Sequence, residues 1–394
     1  MKLAFVVQRY GVEVNGGAEL HCRWHAEALA ARGHEVEVFA TRAIEHLEWT
    51  NGYPEGRALV NGIPVHRFGV KKRRVLRDFA SISNVVFGEE HTRDEEEEWV
   101  RQNGPYAPAL VAAVAREERR FDLILFYCYR YWQTYHGLPS VADKAILVPT
   151  AEEDPAIRLG IFREFFRRPR GLVYLTPEEQ ELVEKAAGGT GRPSAVIGSG
   201  LTLPETAEDP GFRQRHGLQR PFVLYIGRIE RNKGCGTLFT YFKRYVEEQG
   251  AAVDLVLAGK AAMEIPEHPR IRHLGFVGEN EKVTALRQAL VLLMPSPYES
   301  LSVIALEAWK LGLPVLANGR CAPLKGQCLR SNGGLFYHGY EEFEAGLKLL
   351  LDQPELRASL GRQGCLYVER EYSWPTVLGK LEDLFERVRG ATCP

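Results

Sequence analysis

Residues 295–318 read PSPYESLSVIALEAWKLGLPVLAN, and the rest of the chain is organised around this stretch. An apolar run before it predicts a strand, two prolines interrupt the pattern, and a helix is predicted that ends before Gly312. A short strand is predicted next, at Val315–Ala317. The first N–H groups of a helix have no partner within it, and the helix dipole is positive there. The strand, loop and helix N-terminus therefore favour an anion-binding site.

Two carboxylates belong to this stretch, Glu299 just before the predicted helix and Glu307 inside it. If the segment were helical throughout, they would lie about 12 Å apart at roughly 1.5 Å per residue. That separation is too large for the acid/base pair of a glycosidase, which needs roughly 5 to 10 Å. It suits carboxylates that accept hydrogen bonds from sugar hydroxyls on both sides of a diphosphate. A nucleotide sugar is one interpretation, and two solvated acids on an amphipathic helix are the other.

Length and composition limit the class of protein. The chain has 394 residues, enough for two domains with complete cores, and its formal net charge of −1 gives no field that attracts nucleic acid. Its seven scattered cysteines contain no C-x-x-C pair, which argues against a zinc or dithiol site and fits a reducing cytoplasm. The first residues predict a strand rather than a signal peptide, and no apolar run is long enough to span a bilayer.

The N-terminal half begins with one βαβ unit. Its first strand is predicted at Leu3–Val7, its helix at Ala18–Ala31 and its second strand at Val36–Ala40. Gly16 and Gly17 lie in the loop at the first strand's carboxyl end, where open α/β sheets bind ligands. They lack the G-x-G-x-x-G spacing, so we expect either a backbone that approaches a phosphate or a plain turn. Further strands are predicted at 60–68, 123–127, 146–149, 173–175 and 194–197, with helices at 107–116 and 177–187.

Three charged segments of this half have open interpretations. The basic run Lys71–Arg74 with Arg77, and the acidic run Asp94–Glu98, are each predicted to be solvated faces. The segment Arg158–Arg170 mixes five arginines with Leu, Ile and three Phe. It either lies on an anionic membrane surface or packs its aromatic side chains inward.

Two loops of this half carry candidate ligand-binding groups. Residues 127–137, YCYRYWQTYHG, are predicted to form an aromatic loop that contains His136. The loop after the strand at 146–149 contains Glu152 and two further acids, Glu153 and Asp154. These acids either face a ligand at the strand's carboxyl end or cap the next helix.

After a linker at about 198–217, the pattern restarts. An apolar strand at Phe222–Ile226 leads into GRIERNKG, residues 227–234. The glycine spacing is not that of a Walker A loop. Arg228 and Lys233 nevertheless suit the binding of a polyanion. Two exposed cations in a turn are the alternative. Strands at 255–258, 271–274 and 335–337, a polar loop to Gly326, and helices from Thr237 and at 283–289, 341–351, 354–369 and 375–390 are predicted next. Alternating strands and helices in both halves indicate two doubly wound α/β domains with a cleft between them.

Three motifs together resemble one family, the family 4 glycosyltransferases of the GT-B fold, over essentially the whole chain. They are NGGAE (15–19), GRIERNKG (227–234) and the Glu-x7-Glu pair of ESLSVIALE (299–307). The resemblance implies two Rossmann-like domains facing across a cleft, with residues 1–203 binding the acceptor and 204–374 the nucleotide sugar. Residues 375–394 would form a helix that packs back toward the N-terminal domain.

The family implies retaining transfer of a hexose, without a metal or other cofactor, from a nucleotide diphosphate sugar, UDP- or GDP-linked. The acceptor would be a hydroxyl of a glycan, a lipid-linked sugar or a small molecule, so polysaccharide biosynthesis and small-molecule glycosylation both stay open. The enzyme is expected to be cytoplasmic, with peripheral contact to the inner membrane face through Arg158–Arg170 as an open alternative. A nucleotide-sugar epimerase and a non-catalytic nucleotide-sugar-binding protein are the other functions considered.

The resemblance assigns roles to individual residues. Arg228 and Lys233 would hold the diphosphate and stabilise the charge that leaves with it. Glu299 would bind donor-sugar hydroxyls, and Glu307 the ribose. Glu152 stands where relatives often have a His near the donor sugar. Further substrate contacts are assigned to Gly16, Gly17, His136, Val277, Ser300, Leu301, Ser302 and Val303; relatives often have Gly and Phe in place of Ser300 and Leu301.

Overall fold

The computed structural model describes residues 1–14, 16–204 and 209–390. The chain divides into two compact units, each treated separately below. The first unit contains Met1–Gly200 and Trp374–Pro394, and the second contains Leu201–Ser373. Four residues of the predicted linker, 205–208, lie outside the described residues.

Among the described residues, the first unit contains eight strands, and helices α1 to α7 lie between them. The strands are β1 (Lys2–Val7), β2 (Glu35–Thr41), β3 (Gly56–Val60), β4 (Ile63–Phe68), β5 (Leu123–Tyr127), β6 (Ala145–Val148), β7 (Gly171–Tyr174) and β8 (Ser194–Val196). The helices are α1 (Gly17–Ala31), α2 (Leu76–Gly88), α3 (Arg93–Asn103), α4 (Pro108–Glu117), α5 (Trp132–Gly137), α6 (Gly160–Phe165) and α7 (Pro177–Ala187).

The second unit continues the same alternation. Its strands are β9 (Phe222–Ile226), β10 (Asp254–Ala258), β11 (Ile271–His273), β12 (Leu292–Met294), β13 (Val315–Asn318) and β14 (Gly334–Tyr337). Its helices are α8 (Phe212–Arg215), α9 (Cys235–Gln249), α10 (Glu279–Gln288), α11 (Val303–Lys310), α12 (Ala322–Ser331), α13 (Tyr340–Asp352) and α14 (Pro354–Glu371). The last helix, α15 (Trp374–Gly390), belongs to the first unit, where Glu382 contacts Arg32 and His34 of the α1–β2 connection.

The sheet of the first unit has the strand order β3-β4-β2-β1-β5-β6-β7-β8. All neighbouring strands are parallel except β3 and β4, and Leu3 of β1 pairs with Val36 of β2 and Leu123 of β5. The central strands are buried along almost their whole length, as expected for a parallel sheet covered by helices on both faces. The chain builds outward from β1 in one direction and restarts at β5 in the other, so β1 and β5 flank the topological switch point.

The sheet of the second unit is entirely parallel, in the order β11-β10-β9-β12-β13-β14. Its switch point lies between β9 and β12, which pair at Leu224 and Leu292. Ligands of doubly wound sheets bind outside the carboxyl ends of the strands at this point. The loops after β9 and β12 are the two motifs singled out in the sequence, so this topology brings them to one place. The α/β class with two Rossmann-like domains is confirmed.

One predicted strand, residues 60–68, is a hairpin instead. Strands β3 and β4 pair antiparallel and are joined by Asn61 and Gly62, which have φ angles of 48° and 81°. Positive φ at both central residues defines the tight type I′ turn, and Asn-Gly is its commonest sequence. The prediction of one continuous strand overlooks this Asn-Gly signal, which is present in the sequence.

Two predicted loops contain helices. The aromatic loop at 127–137 includes α5. Its first residue, Trp132, is buried, and the backbone N–H of Trp132 donates to Gly104 O at 2.9 Å. The predicted polar loop before Gly326 includes α12, which has a proline in its first turn and buries Leu324 and Cys328, four residues apart. Both helices are short and depend on tertiary packing, which local periodicity does not report.

The two charged runs predicted to be solvated are partly structural. Glu96 of the acidic run is buried, and its carboxylate accepts the backbone N–H groups of Gly160 and Ile161, both at 2.8 Å. It therefore caps the N-terminus of α6. In the basic run, Arg74 donates to the backbone O of Asn103 at 3.0 Å and to Asn103 Oδ1 at 2.7 Å. Glu96 thus serves two backbone N–H groups at a helix end, whereas the Asn103 carbonyl that Arg74 contacts also accepts from Trp49 Nε1 at 2.7 Å.

The amphipathic segment Arg158–Arg170 packs its aromatic side chains inward. Phe162, Phe165 and Phe166 are buried in the core of the first unit, and Tyr129 packs on Phe162 with ring centroids 4.7 Å apart. The segment therefore does not present these rings to a membrane, and the predicted inward packing of its aromatic side chains is what the structure has. Among the described residues, no helix has both the length and the apolar character that a membrane crossing requires.

Candidate functional site

The loop after β9 and the loop after β12 are in direct contact. Gly234 has a φ of 73°, and a Cβ atom added to it would lie 2.2 Å from the carbonyl oxygen of Pro295. That oxygen also accepts a hydrogen bond of 3.0 Å from the side-chain N–H of Asn318 at the end of β13. Only glycine fits here, because the position needs both a left-handed backbone and the absence of a side chain.

Lys233 is turned toward the second loop. Its Nζ lies 2.8 Å from Glu299 Oε1, and the two side chains are only 24% and 14% exposed. A 3₁₀ turn over Arg231–Lys233 places the lysine immediately before Gly234, so the glycine contact and the ion pair lie next to each other. Lys233 therefore places an ammonium group, which has three N–H donors, at the contact between the two loops.

The N-terminus of α11 lies beside this ion pair in sequence. Ser302 is the N-cap, with an extended backbone, and its Oγ accepts from the N–H of Ala305 at 3.4 Å. Leu301 and Ser302 are buried, while Ser300 and Val303 are half-buried. Glu299 precedes the helix and Glu307 lies inside it, as predicted, because α11 begins at Val303. The first-turn amides point out of the helix end that follows Glu299.

Arg228 and Val277 occupy more open positions. The Arg228 side chain is 52% exposed, and its Nη2 lies 3.2 Å from Glu230 Oε1 within the same loop. The backbone of Arg228 is held by the hydroxyl of Tyr225, which donates to its carbonyl at 2.7 Å. Val277 is half-buried in the connection between β11 and α10. The structure therefore brings Lys233 and Glu299 together, whereas the Arg228 guanidinium pairs within its own loop.

Glu307 is paired with a lysine that the sequence analysis missed. Lys282 Nζ lies 2.8 Å from Glu307 Oε1 and 2.8 Å from Glu279 Oε2. Burial raises the pKa of Glu307, and the ammonium of Lys282 opposes that rise. Burial by itself would lower the pKa of Lys282, but Glu307 and Glu279 raise it above its usual value. The i,i+3 spacing of Glu279 and Lys282 was visible in the sequence, but nothing local connects Lys282 to Glu307.

In the first unit, Gly16 lies against a buried ion pair. Arg9 donates from Nε and Nη2 to Glu19 Oε1, at 2.8 and 2.5 Å. A Cβ atom at Gly16 would lie 2.2 Å from Glu19 Oε2, whereas one at Gly17 would meet nothing within 4 Å. The space beside Gly17, the first residue of α1, is therefore open. Asn15, which begins the NGGAE motif, lies outside the described residues.

Glu152 shares a cation with a neighbouring acid. Arg130, in the loop after β5, lies 3.5 Å from Glu152 Oε2 and is also paired with Asp154. Asp154 accepts from the N–H of Ala156 at 3.1 Å and so caps the 3₁₀ helix that follows. Of the two expected roles for these acids, Asp154 therefore has the capping role, while Glu152 remains half-buried at the carboxyl edge of the sheet.

A second carboxyl group, Glu179 of α7, lies behind this loop and was not singled out in the sequence. Its two oxygens accept the N–H groups of Ala151 and Leu175, each at 2.6 Å. Burial raises the pKa of Glu179 to about 8, despite these two hydrogen bonds, which favour the ionised form. The group joins the loops that follow β6 and β7.

His136 lies in the last turn of α5. Its ring packs on Trp132 and Tyr135 of the same helix, with centroid distances of 4.7 and 5.0 Å. Burial lowers the pKa of His136. Both of these ring contacts are therefore with residues of its own helix. Among the described residues, no group of three or more His, Cys, Asp or Glu side chains is arranged to hold a metal ion.

Two family models match the chain in succession. The model described as "Glycosyl transferase 4-like domain" matches residues 16–200, and the model described as "Glycosyl transferases group 1" matches residues 209–365. Their boundary falls where the first structural unit gives way to the second.

Relatives with curated names are similar over most of their length. An uncharacterised glycosyltransferase of Methanocaldococcus jannaschii is 24% identical over 350 residues, which cover 81% of this chain and 80% of the relative. A D-inositol 3-phosphate glycosyltransferase of Corynebacterium efficiens is 25% identical over 413 residues, which cover 98% and 94% of the two chains.

Solved structures share the fold at low sequence identity. A sucrose-phosphate synthase from Thermosynechococcus elongatus has a TM-score of 0.72 at 16% identity and covers 99% of this chain and 100% of its own. HepE from Anabaena, solved with UDP and glucose, has a TM-score of 0.70 at 16% identity, with coverage of 98% and 100%.

The first prediction concerns the contact between the two loops. Gly234→Ala should raise the KM for the donor and lower stability, because the new methyl group must displace either Lys233 or Pro295. Gly250→Ala is the matched control, since Gly250 has a φ of 58° but a Cβ there would meet nothing within 4 Å. Both variants carry the strain of a left-handed residue, roughly 1–2 kcal/mol. Urea unfolding and donor titration of both variants should show a larger loss of stability and of donor affinity in Gly234→Ala. Equal losses in the two variants would show that the contact does not support the site.

The second prediction concerns Lys282. Lys282→Met leaves the buried carboxyl of Glu307 without its cation, and breaking a buried pair costs about 3–5 kcal/mol. The exposed pair of Lys348 with Asp352 provides the control, because Lys348→Met should cost less than about 1 kcal/mol. Urea unfolding of both variants measures the difference.

The loss in Lys282→Met should depend on pH. Without the lysine the folded-state pKa of Glu307 rises further above its unfolded value, so the folded state binds the proton more tightly. The stability deficit should then be smallest near the unfolded pKa of Glu and grow as pH rises toward the raised folded value. A deficit that is constant from acidic to neutral pH would indicate lost packing instead of a lost charge partner.

Proposed function

We propose that this chain, which belongs to the family 4 type glycosyltransferases of the GT-B fold, transfers a hexose from a nucleotide diphosphate sugar to a hydroxyl acceptor. The transfer retains the anomeric configuration and needs no metal or other cofactor. The donor is UDP- or GDP-linked and binds to the second unit, and the acceptor binds to the first.

The convergence of Lys233 with the N-terminal end of α11 is the observation that carries this proposal. The ion pair of 2.8 Å to Glu299 and the close approach of Gly234 to Pro295 hold one cation at the loop that leads into the N-terminus of α11. Backbone amides, a helix dipole and a lysine are the groups that bind phosphate oxygens in proteins. A diphosphate fits this combination better than an isolated sugar does.

The charge at this site supports the chemistry of a leaving diphosphate. As the bond to the sugar breaks, negative charge grows on the diphosphate oxygens, and fixed positive groups stabilise it most when they are already in place. Lys233 is in place, and the half-exposed Arg228 is able to turn from Glu230 toward a bound phosphate. The proposal of metal-independent transfer rests on these two cations.

The carboxylates fit the two ends of such a donor. Glu299 accepts from Lys233 through Oε1, and its carboxylate suits the hydroxyls of the donor sugar. Glu307 is fixed by Lys282 and suits the ribose hydroxyls. In the first unit, the open space beside Gly17 and the half-buried Glu152 lie in loops at the carboxyl edge of the sheet, where substrate contacts are expected.

A donor screen tests the proposal. UDP-, GDP- and ADP-sugars should be compared by thermal shift, because a ligand that binds only the folded state raises the melting temperature. With the best donor, NMR of the product or of the slow hydrolysis product should show the donor's own anomeric configuration, and EDTA should leave the rate unchanged. An inverted product would contradict retention. An epimerised donor formed without acceptor would instead favour the epimerase.

Lys233→Ala should lower kcat far more than it lowers donor affinity. Removing one preorganised charge-stabilising group costs about 3 kcal/mol of transition-state stabilisation, or on the order of a hundredfold in rate. Lys348→Ala removes an exposed lysine of the same unit and should leave kcat near the wild-type value. A wild-type transfer rate in Lys233→Ala would show that the assigned role is wrong.

A further inference from the structure

Two residues at the carboxyl edge of the first unit's sheet have a left-handed backbone without being glycine. Cys128 directly follows β5 and has a φ of 64°, and Thr150 comes shortly after β6 with a φ of 49°. For a β-branched residue such as threonine this conformation is rare and costs free energy. Strained backbones of this kind persist only where neighbouring groups hold them, and they cluster at sites that bind ligands.

The two strained residues contact each other. Thr150 Oγ1 donates to Cys128 Sγ at 3.1 Å, and Gln8, which follows β1, donates to the same sulfur at 3.6 Å. The backbone N–H of Cys128 donates to Val148 O at 3.0 Å. The loops that follow β1, β5 and β6 are therefore joined at the switch point of the sheet, where open α/β sheets bind ligands.

Glu179 holds this strained segment from behind. Its Oε1 accepts the N–H of Ala151, the residue before Glu152, and its Oε2 accepts the N–H of Leu175, each at 2.6 Å. The side chain is itself anchored, since Glu179 is buried and its backbone N–H donates to Oγ1 of Thr176, the N-cap of α7, at 3.1 Å. One buried carboxylate thus fixes the peptide unit that precedes Glu152 and ties it to the loop after β7.

Helix capping does not account for this carboxylate. Thr176 already accepts at the N-terminus of α7, whereas the two oxygens of Glu179 go to loops outside the helix. Glu96 shows the other use of a buried carboxylate, because both of its N–H partners lie in the first turn of one helix. Since burying a carboxylate is costly, the role of Glu179 is to be sought in the two loops that it joins.

The charge of Glu179 is coupled to that of Glu152. Burial raises the pKa of Glu179 to about 8, two backbone N–H groups oppose that rise, and the negative charge of Glu152 adds to it. Burial also raises the pKa of Tyr174 on β7, whose hydroxyl donates to Glu184, so this neighbouring phenol stays neutral. Arg163 of α6 lies at the other end of α7, beside its C-cap. Glu179 is therefore the group of this cluster that titrates near neutral pH.

We propose that Glu179 is a positioning residue of the substrate site, whose carboxylate fixes the strained loop after β6 and so orients Glu152 toward the substrate. The inference rests on the proposed function, in which Glu152 contacts that substrate. Ionised Glu179 offers one acceptor oxygen to each loop, whereas protonation turns one of these oxygens into a donor. The loop should therefore be held most firmly when Glu179 is ionised and should loosen as the group takes up a proton.

Amide hydrogen exchange tests the positioning without reference to transfer. Glu179→Gln keeps the shape of the side chain but replaces one acceptor oxygen with an NH2 group. At alkaline pH the Ala151 amide should exchange about tenfold faster in this variant than in the wild type, the factor expected for one lost hydrogen bond. At mildly acidic pH the two proteins should differ less, because the wild-type carboxyl group is then protonated.

Donor turnover provides the second readout. Glu179→Gln should lower the kcat for the donor that the thermal-shift screen selects by about tenfold. Calorimetry with UDP or GDP, which lack the sugar, should give an unchanged affinity. The ratio of wild-type to variant kcat should rise as pH increases through about 8, because the wild-type carboxyl group then ionises. Glu179→Asp keeps a carboxylate and should retain this pH dependence with a smaller loss of kcat.

Glu96→Gln is the matched control. Glu96 is also buried in the first unit and also accepts two backbone N–H groups, but these belong to α6. The control variant should lose stability in urea unfolding, while its kcat and the exchange of its Ala151 amide should stay at the wild-type values.

The outcomes separate positioning from transfer. Unchanged exchange at Ala151, or a loss of kcat no greater than that of Glu96→Gln, would overturn the positioning role and leave the proposed function standing. A kcat ratio that is constant with pH would overturn it too, because packing does not depend on ionisation. If Glu179→Gln does not fold, Glu179→Asp and the wild-type pH profile decide, and Ala151 protection that is constant with pH overturns the role. Absence of donor turnover in the wild type would instead contradict the proposed function, while the exchange measurement still decides whether Glu179 fixes the loop.

Discussion

The contact between Gly234 and the carbonyl of Pro295 is the constraint on which the site of the second unit depends. Strands β9 and β12 are neighbours, so their loops emerge side by side, but side chains would ordinarily hold two such loops apart. A glycine with positive φ lets the backbones touch, which brings Lys233 within 2.8 Å of Glu299. Asn318 binds the same carbonyl and so ties β13 to the contact.

The carboxylates of this site are balanced by cations before any ligand arrives. Glu299 is paired with Lys233, and the buried Glu307 with Lys282. An unpaired carboxylate at these depths would take up a proton and lose its value as an acceptor. At Glu307 the ammonium of Lys282 opposes the rise in pKa that burial causes.

The charged segments of the first unit look alike in sequence but differ in what the fold does with them. Glu96 caps α6, and the phenylalanines among the arginines of 158–170 enter the core. In the basic run, Lys71, Lys72, Arg73 and Arg77 stay exposed, whereas Arg74 is half-buried and donates to Asn103. Charge and composition alone therefore did not indicate which of these side chains the fold would bury.

The amino-acid sequence by itself determined the α/β class, the central strands and the two ligand-facing loops of the second unit. Buried parallel strands are apolar along their length, and glycines and cations at their ends are local signals. Strands β5 and β9 accordingly have the predicted bounds. The hairpin at Asn61-Gly62 could also have been predicted, whereas the short helices α5 and α12 needed the packing of distant residues.

Only the tertiary structure decided which charged side chains meet. Lys282 and Glu307 are 25 positions apart, and Glu96 is 64 from Gly160, so no local period links them. Local sequence reports backbone preference and burial, but a pair of charges forms where two loops of the sheet come together, and that depends on strand order.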